Sequence, residues 1–337
     1  MGNEIFEKLS RIVTAKNIPL YSVFELTHRC NLICRHCYLD SAGAKNELPE
    51  AKIKYILGEL ARAGCLHLGL TGGEVFLRKD FLRICSYARK LNFDVRVFTN
   101  GTLIKRSDAQ FLSEIGIGGV ELSLYGKKDT HDRITRVSGS FDMTFAAIKL
   151  LKEYRVNVRI KAPIMKLNYG DYHWLLDFSK RLGLECIFDP VLAPKNNGDR
   201  SVLKYQLGKS GLRKVFSDRK LIPARPARKN SAAKPPDINL FCGAGRDCAG
   251  IAPDGTVYPC IQFLYPLGNL KKKSFDEIWY NSKRADYVRG LKSSDCKECF
   301  SCSKAAQCRR CPGLALLESK DILGKSEIAC QLAEAQA

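Results

Sequence analysis

The stretch HRCNLICRHCYLD, His28–Asp40, places three thiols, Cys30, Cys34 and Cys37, within eight residues, directly after the apolar run YSVFEL. A disulfide would leave one thiol over, and a closed tetrahedral zinc site would need a fourth ligand. Three is the number wanted where one metal position stays open. The segment MGNEIFEKLSRIV lacks the apolar core of a signal peptide. No apolar run approaches the roughly 20 residues of a membrane span. A cytoplasmic chain with no membrane partner is therefore expected. That compartment keeps thiols reduced, so 15 cysteines point to metal rather than to disulfides.

Outward from that loop, short β-branched runs alternate with amphipathic helical stretches from about residue 20 to 190. Strands are expected at Tyr21–Leu26, Leu66–Leu70, Asp94–Phe98, Gly119–Leu124, Asn157–Ala162 and Glu185–Asp189. Pro49 fits a first helical turn, Ser107 precedes a helical run, and Gly64, Gly116 and Gly183 fit C-terminal caps. Strands alternating with helices imply an α/β fold on a parallel sheet. Pattern alone leaves open whether that sheet is flat or curled into a partial barrel. Residues 196–240 break the rhythm with Lys, Arg, Pro and Asn and read as a basic, solvated linker. Nine of the fifteen cysteines follow, between Cys242 and Cys330, in a stretch that reads as a small metal-stapled domain. The expected division is a core over residues 1–195, the linker over 196–240 and the cysteine-rich part over 241–337. Fifty-five Lys and Arg against 35 Asp and Glu give a formal charge of +20, which favours acidic partners without choosing among them.

A C-x3-C-x2-C loop after a first strand resembles the radical S-adenosylmethionine (radical SAM) superfamily. The resemblance implies a partial (β/α)6 barrel in which Cys30, Cys34 and Cys37 hold a 4Fe–4S cluster whose fourth iron binds SAM. His36, inside the loop, stands where that superfamily commonly places an aromatic residue near the adenine. TGGEVF after the second strand resembles the superfamily's GGE motif, with Gly72 and Gly73 allowing close backbone approach and Glu74 accepting the methionine ammonium. FTNGT and ELSLYG end the third and fourth strands, and Asn100 and Ser123 resemble SAM-contacting positions. In THDRITRVSGSF, Arg133 and Arg136 are both eligible to meet the methionine carboxylate. Lys161 could face the same carboxylate or merely close the sheet. Asp189 and Tyr125 are candidate acid–base groups only because they would project from strand ends, and the catalytic group stays unknown.

The C-terminal pattern, Cys242-x5-Cys248-x11-Cys260 followed by Cys299-x2-Cys302-x5-Cys308-x2-Cys311 and Cys330, resembles the SPASM domain of radical SAM peptide maturases. Its last internal spacing is x2 where the resembled pattern has x3. The resemblance implies two auxiliary 4Fe–4S clusters, one on Cys242, Cys248, Cys260 and Cys311 and one on Cys299, Cys302, Cys308 and Cys330. With the N-terminal cluster that makes three. Cys296 is left over, and zinc remains the alternative metal for C-x2-C pairs. Cys65, Cys85 and Cys186 fit apolar packing.

The implied activity is reductive cleavage of SAM to a 5′-deoxyadenosyl radical that abstracts hydrogen from a peptide or protein side chain. A flavodoxin or ferredoxin would supply electrons. Because only about twenty residues precede the first strand, either a separate leader-binding protein presents a peptide substrate or the substrate is something else. A tetrapyrrole-modifying enzyme of similar layout is the alternative. From another class, a non-catalytic iron–sulfur electron carrier or nucleic-acid-binding protein would use the basic strip, which offers only Tyr205 and Phe216 as stacking groups.

Overall fold

A computed structural model of the chain describes residues 8, 11–40, 46–221, 242–305 and 307–336. The expected strands form with small shifts of end: β1 (Tyr21–Thr27), β2 (His67–Gly72), β3 (Asp94–Thr99), β4 (Gly119–Ser123), β5 (Val158–Pro163) and β6 (Glu185–Asp189). All are parallel to their neighbours and lie side by side in chain order. Helices such as Glu50–Arg62, Phe81–Lys90, Ser140–Glu153 and Tyr172–Arg181 fill the crossovers. The arrangement is that of a partial (β/α) barrel. Pro49 is the residue just before its helix, and Gly64, Gly116 and Gly183 take the left-handed conformation past helix ends. Ser107 does not cap: the helix spans Arg106–Glu114, and Asp108 accepts the Lys105 N–H at 2.8 Å instead.

The two-residue period of the strands separates two faces. On β3, Val95 and Val97 are buried under helices while Arg96 and Phe98 turn to the concave side; on β5, Val158, Ile160 and Ala162 alternate with Arg159 and Lys161. A sheet buried in apolar surroundings on both faces would not carry these charges. They neutralise one another across strands. Glu121, 5% exposed, meets Lys161 Nζ at 2.8 Å, with Arg96 and Arg159 at 3.8 and 3.9 Å, and Arg159 reaches Glu185 at 2.7 Å.

The cysteine-rich part is joined to this sheet. Strand β7 (Cys248–Ile251) pairs in parallel with β1, from Tyr21 opposite Cys248 to Phe24 opposite Ile251. Strands β8 (Thr256–Tyr258) and β9 (Gly268–Asn269) continue antiparallel, giving the order β6-β5-β4-β3-β2-β1-β7-β8-β9. One apolar cluster runs through both parts, containing Phe24, Leu57 and Val95 with Ile251, Phe263 and Trp279. The fully buried Trp279 donates its indole N–H to the Asn17 carbonyl at 2.6 Å.

The segment read as a solvated linker is partly packed. Helix Lys209–Ser217 buries Leu212 and Val215 against Ile164, Tyr172 and Ala335. Of the basic strip, residues 222–240 lie outside the described residues.

Candidate functional site

The site begins where β1 ends. Past Thr27 the chain leaves the sheet, and the double glycine after β2 fastens it down. Gly73 N–H donates to the Thr27 carbonyl and Glu74 N–H to the Arg29 carbonyl, both at 2.8 Å. A Cβ on Gly72 would stand 2.2 Å from the Thr27 oxygen, and one on Gly73 would stand 2.2 Å from the Arg29 oxygen. Both are backbone atoms and cannot swing aside. The glycines therefore let two backbones touch at the root of the cysteine loop.

Glu74 is fully buried and points inward. One carboxylate oxygen accepts Phe76 N–H at 3.1 Å, the other accepts Asn100 N–H at 2.8 Å, and the Thr99 hydroxyl reaches both at 2.7 and 2.8 Å. Burial raises its carboxyl above the ordinary value despite those donors. Its shown work is to tie the glycine turn to the end of β3. Asn100 likewise serves the loop: its side-chain N–H₂ donates to Asn31 at 3.0 Å and lies 3.8 Å from Cys30 Sγ, while its oxygen accepts Thr102 N–H at 2.9 Å.

The other flank of the loop rests on helix Lys128–Thr135. Ile33 and Arg35 donate backbone N–H groups to the Thr135 and Ile134 carbonyls at 3.1 and 2.9 Å. Beneath lies an aromatic group in which Tyr125 meets His36 edge-on at 4.6 Å and stacks on His131 at 5.3 Å. Burial lowers both imidazoles to about 4, His36 also through its neighbour His131. His131 Nδ1 accepts Tyr125 N–H at 3.2 Å, which fixes its tautomer. Tyr125 itself is buried, with its phenol raised by desolvation and by Cys34. Ser123 ends β4 beside it, opposite Lys161.

Arg133 and Arg136 are both exposed on this flank. Arg133 donates to the Leu167 carbonyl at 3.2 Å, and Arg136 takes a left-handed backbone that ends the helix. Lys161 is committed to Glu121 and lies 4.4 Å over the Phe98 ring. Asp189, at the end of β6, accepts Val191 N–H at 2.9 Å, and burial raises its carboxyl.

The sequence reading passed over Thr99 and Asp132. The carboxylate of Asp132 accepts Gly139 and Phe141 N–H at 2.8 Å and the Ser140 hydroxyl at 2.9 Å, shaping the turn after Arg136. An Asp followed at seven and nine residues by a Gly-Ser-Phe turn carries too little pattern to be found by spacing.

In the C-terminal part, the thiols gather as two groups. Cys242, Cys248, Cys260 and Cys311 act on one another electrostatically. Cys299, Cys302, Cys308 and Cys330 do the same. The Cys248 thiol lies 3.8 Å from the Pro259 carbonyl, and its proximity to Cys260 pushes Cys248 up and holds Cys260 down. Cys296 is buried, and its carbonyl accepts the Cys299 N–H at 2.9 Å. Cys65 and Cys85 are buried in the core cluster.

All fifteen cysteines are free. Among the described residues no three His, Cys, Asp or Glu side chains converge on a single ion. The donor sets suit iron–sulfur ligation instead. Leu32 N–H donates to Cys30 Sγ at 3.4 Å and Gln262 N–H to Cys260 Sγ at 3.5 Å. The backbone N–H groups of Leu39, Ala244 and Arg310, each two residues on, likewise oppose the upward push of burial on Cys37, Cys242 and Cys308. Such donors favour the thiolate over the thiol. Burial meanwhile pushes Cys34 up to about 12, followed by the influence of Cys37 and Cys30. Thiolates crowded this way need a cation among them.

Residues 24–178 match the radical SAM superfamily. The chain carries a radical SAM domain over that stretch. Residues 242–312 match SPASM, an iron–sulfur cluster-binding domain. The antilisterial bacteriocin subtilosin biosynthesis protein AlbA of Bacillus subtilis is 30% identical over 78% of this chain, which spans 60% of that protein's length. The Fe-coproporphyrin III synthase of Methanosarcina barkeri is 27% identical over 87% of this chain and 80% of its own length. The fold is shared with Streptococcus suis SuiB bound to S-adenosylmethionine, with a TM-score of 0.73 and 20% identity over 94% of this chain and 78% of that one. No helix among the described residues is long and apolar enough to cross a membrane.

Proposed function

We propose that this chain is a peptide- or protein-modifying radical SAM enzyme carrying three 4Fe–4S clusters, one on Cys30, Cys34 and Cys37 and two on the C-terminal groups. The single observation that carries the reading is the three-thiol loop, held open and fastened at its root by Gly72, Gly73 and Asn100. With cluster and SAM bound, that chemistry supplies a 5′-deoxyadenosyl radical able to abstract hydrogen from a substrate. The chain's own residues hold and shield the site. His36 and Tyr125 wall one flank, Arg133 and Arg136 offer cations for a carboxylate, and Glu74 keeps the glycine turn in register with β3. The carbonyls of Gly72 and Gly73 are then the acceptors for an ammonium, with the buried Glu74 carboxylate behind them lending negative charge. Ser123 supplies a polar edge at the end of β4. The division into a core over 1–195, a basic segment over 196–240 and an auxiliary part over 241–337 belongs to this reading, as do a separate leader-binding partner and a flavodoxin or ferredoxin donor.

Likeness to a bacteriocin biosynthesis protein supports a peptide substrate, and likeness to an Fe-coproporphyrin III synthase keeps a tetrapyrrole as the second reading. Anaerobically reconstituted protein, reduced with dithionite, should release 5′-deoxyadenosine from SAM, and alanine at Cys30, Cys34 and Cys37 should abolish release. Mass spectrometry with candidate peptides in one arm and coproporphyrin in the other separates the two substrates. Intact SAM after reduction, with iron fully loaded, overturns the reading.

A further inference from the structure

A cavity of about 170 Å³ lies between the end of β1, the residues after Cys37 and the segment after Cys260. It has room for one amino-acid side chain. Pro194, Ile261, Leu264 and Leu317 supply apolar wall, and Glu25 is the one carboxylate among the residues lining it. Tyr38 follows Cys37 directly, and Gln262 donates its N–H to Cys260 Sγ, so the cavity sits between two of the thiol groups.

Glu25 is 5% exposed and held from two sides. The Tyr38 hydroxyl donates to one oxygen at 2.7 Å, and His28 Nε2 lies 3.1 Å from the other. These contacts fix the carboxylate plane and leave acceptor capacity on both oxygens. Among the described residues no Lys or Arg lines the cavity, and His28 is a cation only when protonated. The contrast with Glu121 is direct: its buried charge meets Lys161, Arg96 and Arg159 from within the chain. Burying a carboxylate without a cation is costly unless a partner arrives to complete it. Among the described residues His28 Nδ1 is also buried with no partner.

We propose that Glu25 is a recognition carboxylate for a cationic substrate side chain, an ammonium or guanidinium on an aliphatic arm, seated between the Cys37 and Cys260 loops. The proposal deepens the peptide reading and rests on it for the identity of the arm's carrier. Tyr38 and His28 act as positioning residues that aim the carboxylate.

The test uses the full chain, anaerobically reconstituted, with ligand-observed NMR. The probes are n-butylammonium and n-butyrate, then the acetylated, amidated peptide Gly-Gly-Lys-Gly-Gly and its norleucine counterpart. Butylammonium should bind and butyrate should not. Glu25→Gln should weaken butylammonium binding about tenfold or more, the loss of one charge-assisted contact, with visible iron–sulfur absorbance unchanged. Tyr38→Phe keeps the carboxylate and removes one of its two anchors, so it should weaken binding clearly less than Glu25→Gln does. Butyrate binding as well as butylammonium to the unaltered chain overturns the assignment without any variant. Equal loss in Glu25→Gln and Tyr38→Phe overturns it too, since that is the mark of a merely structural effect. Glu25-dependent binding of butylammonium without binding of the lysine peptide upholds the site and removes the peptide reading. Equal binding of both peptides, unmoved by Glu25→Gln, upholds the peptide reading and removes the site.

Discussion

Replacing Glu74 by Gln separates two roles for the GGE acid. Were its work only to receive an ammonium from bound SAM, the amide would lower SAM affinity and leave the apo fold untouched. The geometry says otherwise. One oxygen accepts Phe76 N–H and the other accepts Asn100 N–H. Whichever way the amide is turned, its NH₂ faces a backbone N–H. One buried donor is stranded, at about 1–3 kcal/mol, and charge assistance to the remaining bonds is lost. The sum is about 2–4 kcal/mol of stability, with Thr99 able to recover a little by rotating its hydroxyl. Urea unfolding of unaltered and Glu74→Gln protein, in matched metal-free buffer, should show a lower midpoint with an unchanged slope. A change below about 0.5 kcal/mol, alongside weakened SAM binding, would refute the inward brace.

Gly73→Ala should lose iron from the N-terminal site and destabilise the chain by about 3 kcal/mol or more, because its Cβ meets immovable Arg29 and His28 backbone; iron per chain and the urea midpoint check both. Cys296→Ser should leave iron and sulfide content unchanged while Cys299→Ser lowers both, as measured on anaerobic preparations. His131 is neutral when folded, with its pKa lowered to about 4 from 6.5, so the unfolded chain takes up a proton first as pH falls. Stability should therefore decline by about 3 kcal/mol between pH 6.5 and 4 from this group, with none of that loss above pH 7. His131→Phe should flatten that slope in unfolding curves taken across the range, whatever it does to stability at neutral pH.

What the sequence disclosed and what it hid divide by range of interaction. Six strands and their helices were readable because burial imposes a period on residues near in sequence. The thiol trio was readable because its members share one turn of chain, and the double glycine because its proximity to β2 ends a strong apolar run. The inward use of Glu74 was not readable: it depends on Thr99 and Asn100, brought alongside by a neighbouring strand. The packing of residues 209–217 was hidden for the same reason, since Leu212 and Val215 find their cover in Ala335 and Tyr172. Glu25 looked like one polar residue in a strand, and only the fold shows that Tyr38 and His28 hold it at a cavity lined by no described Lys or Arg.

The pairing of β7 with β1 bears on how the chain reaches its native state. During synthesis β1 emerges well before its β7 partner, so one flank of the barrel stays an unsatisfied edge until β7 is made. Such an edge invites pairing with a second nascent chain, and closing it requires contact between residues far apart in sequence, a slow step. Products that stop short of Cys248 should accumulate as aggregates, and co-expressed β7-bearing fragments should rescue them by supplying the missing edge.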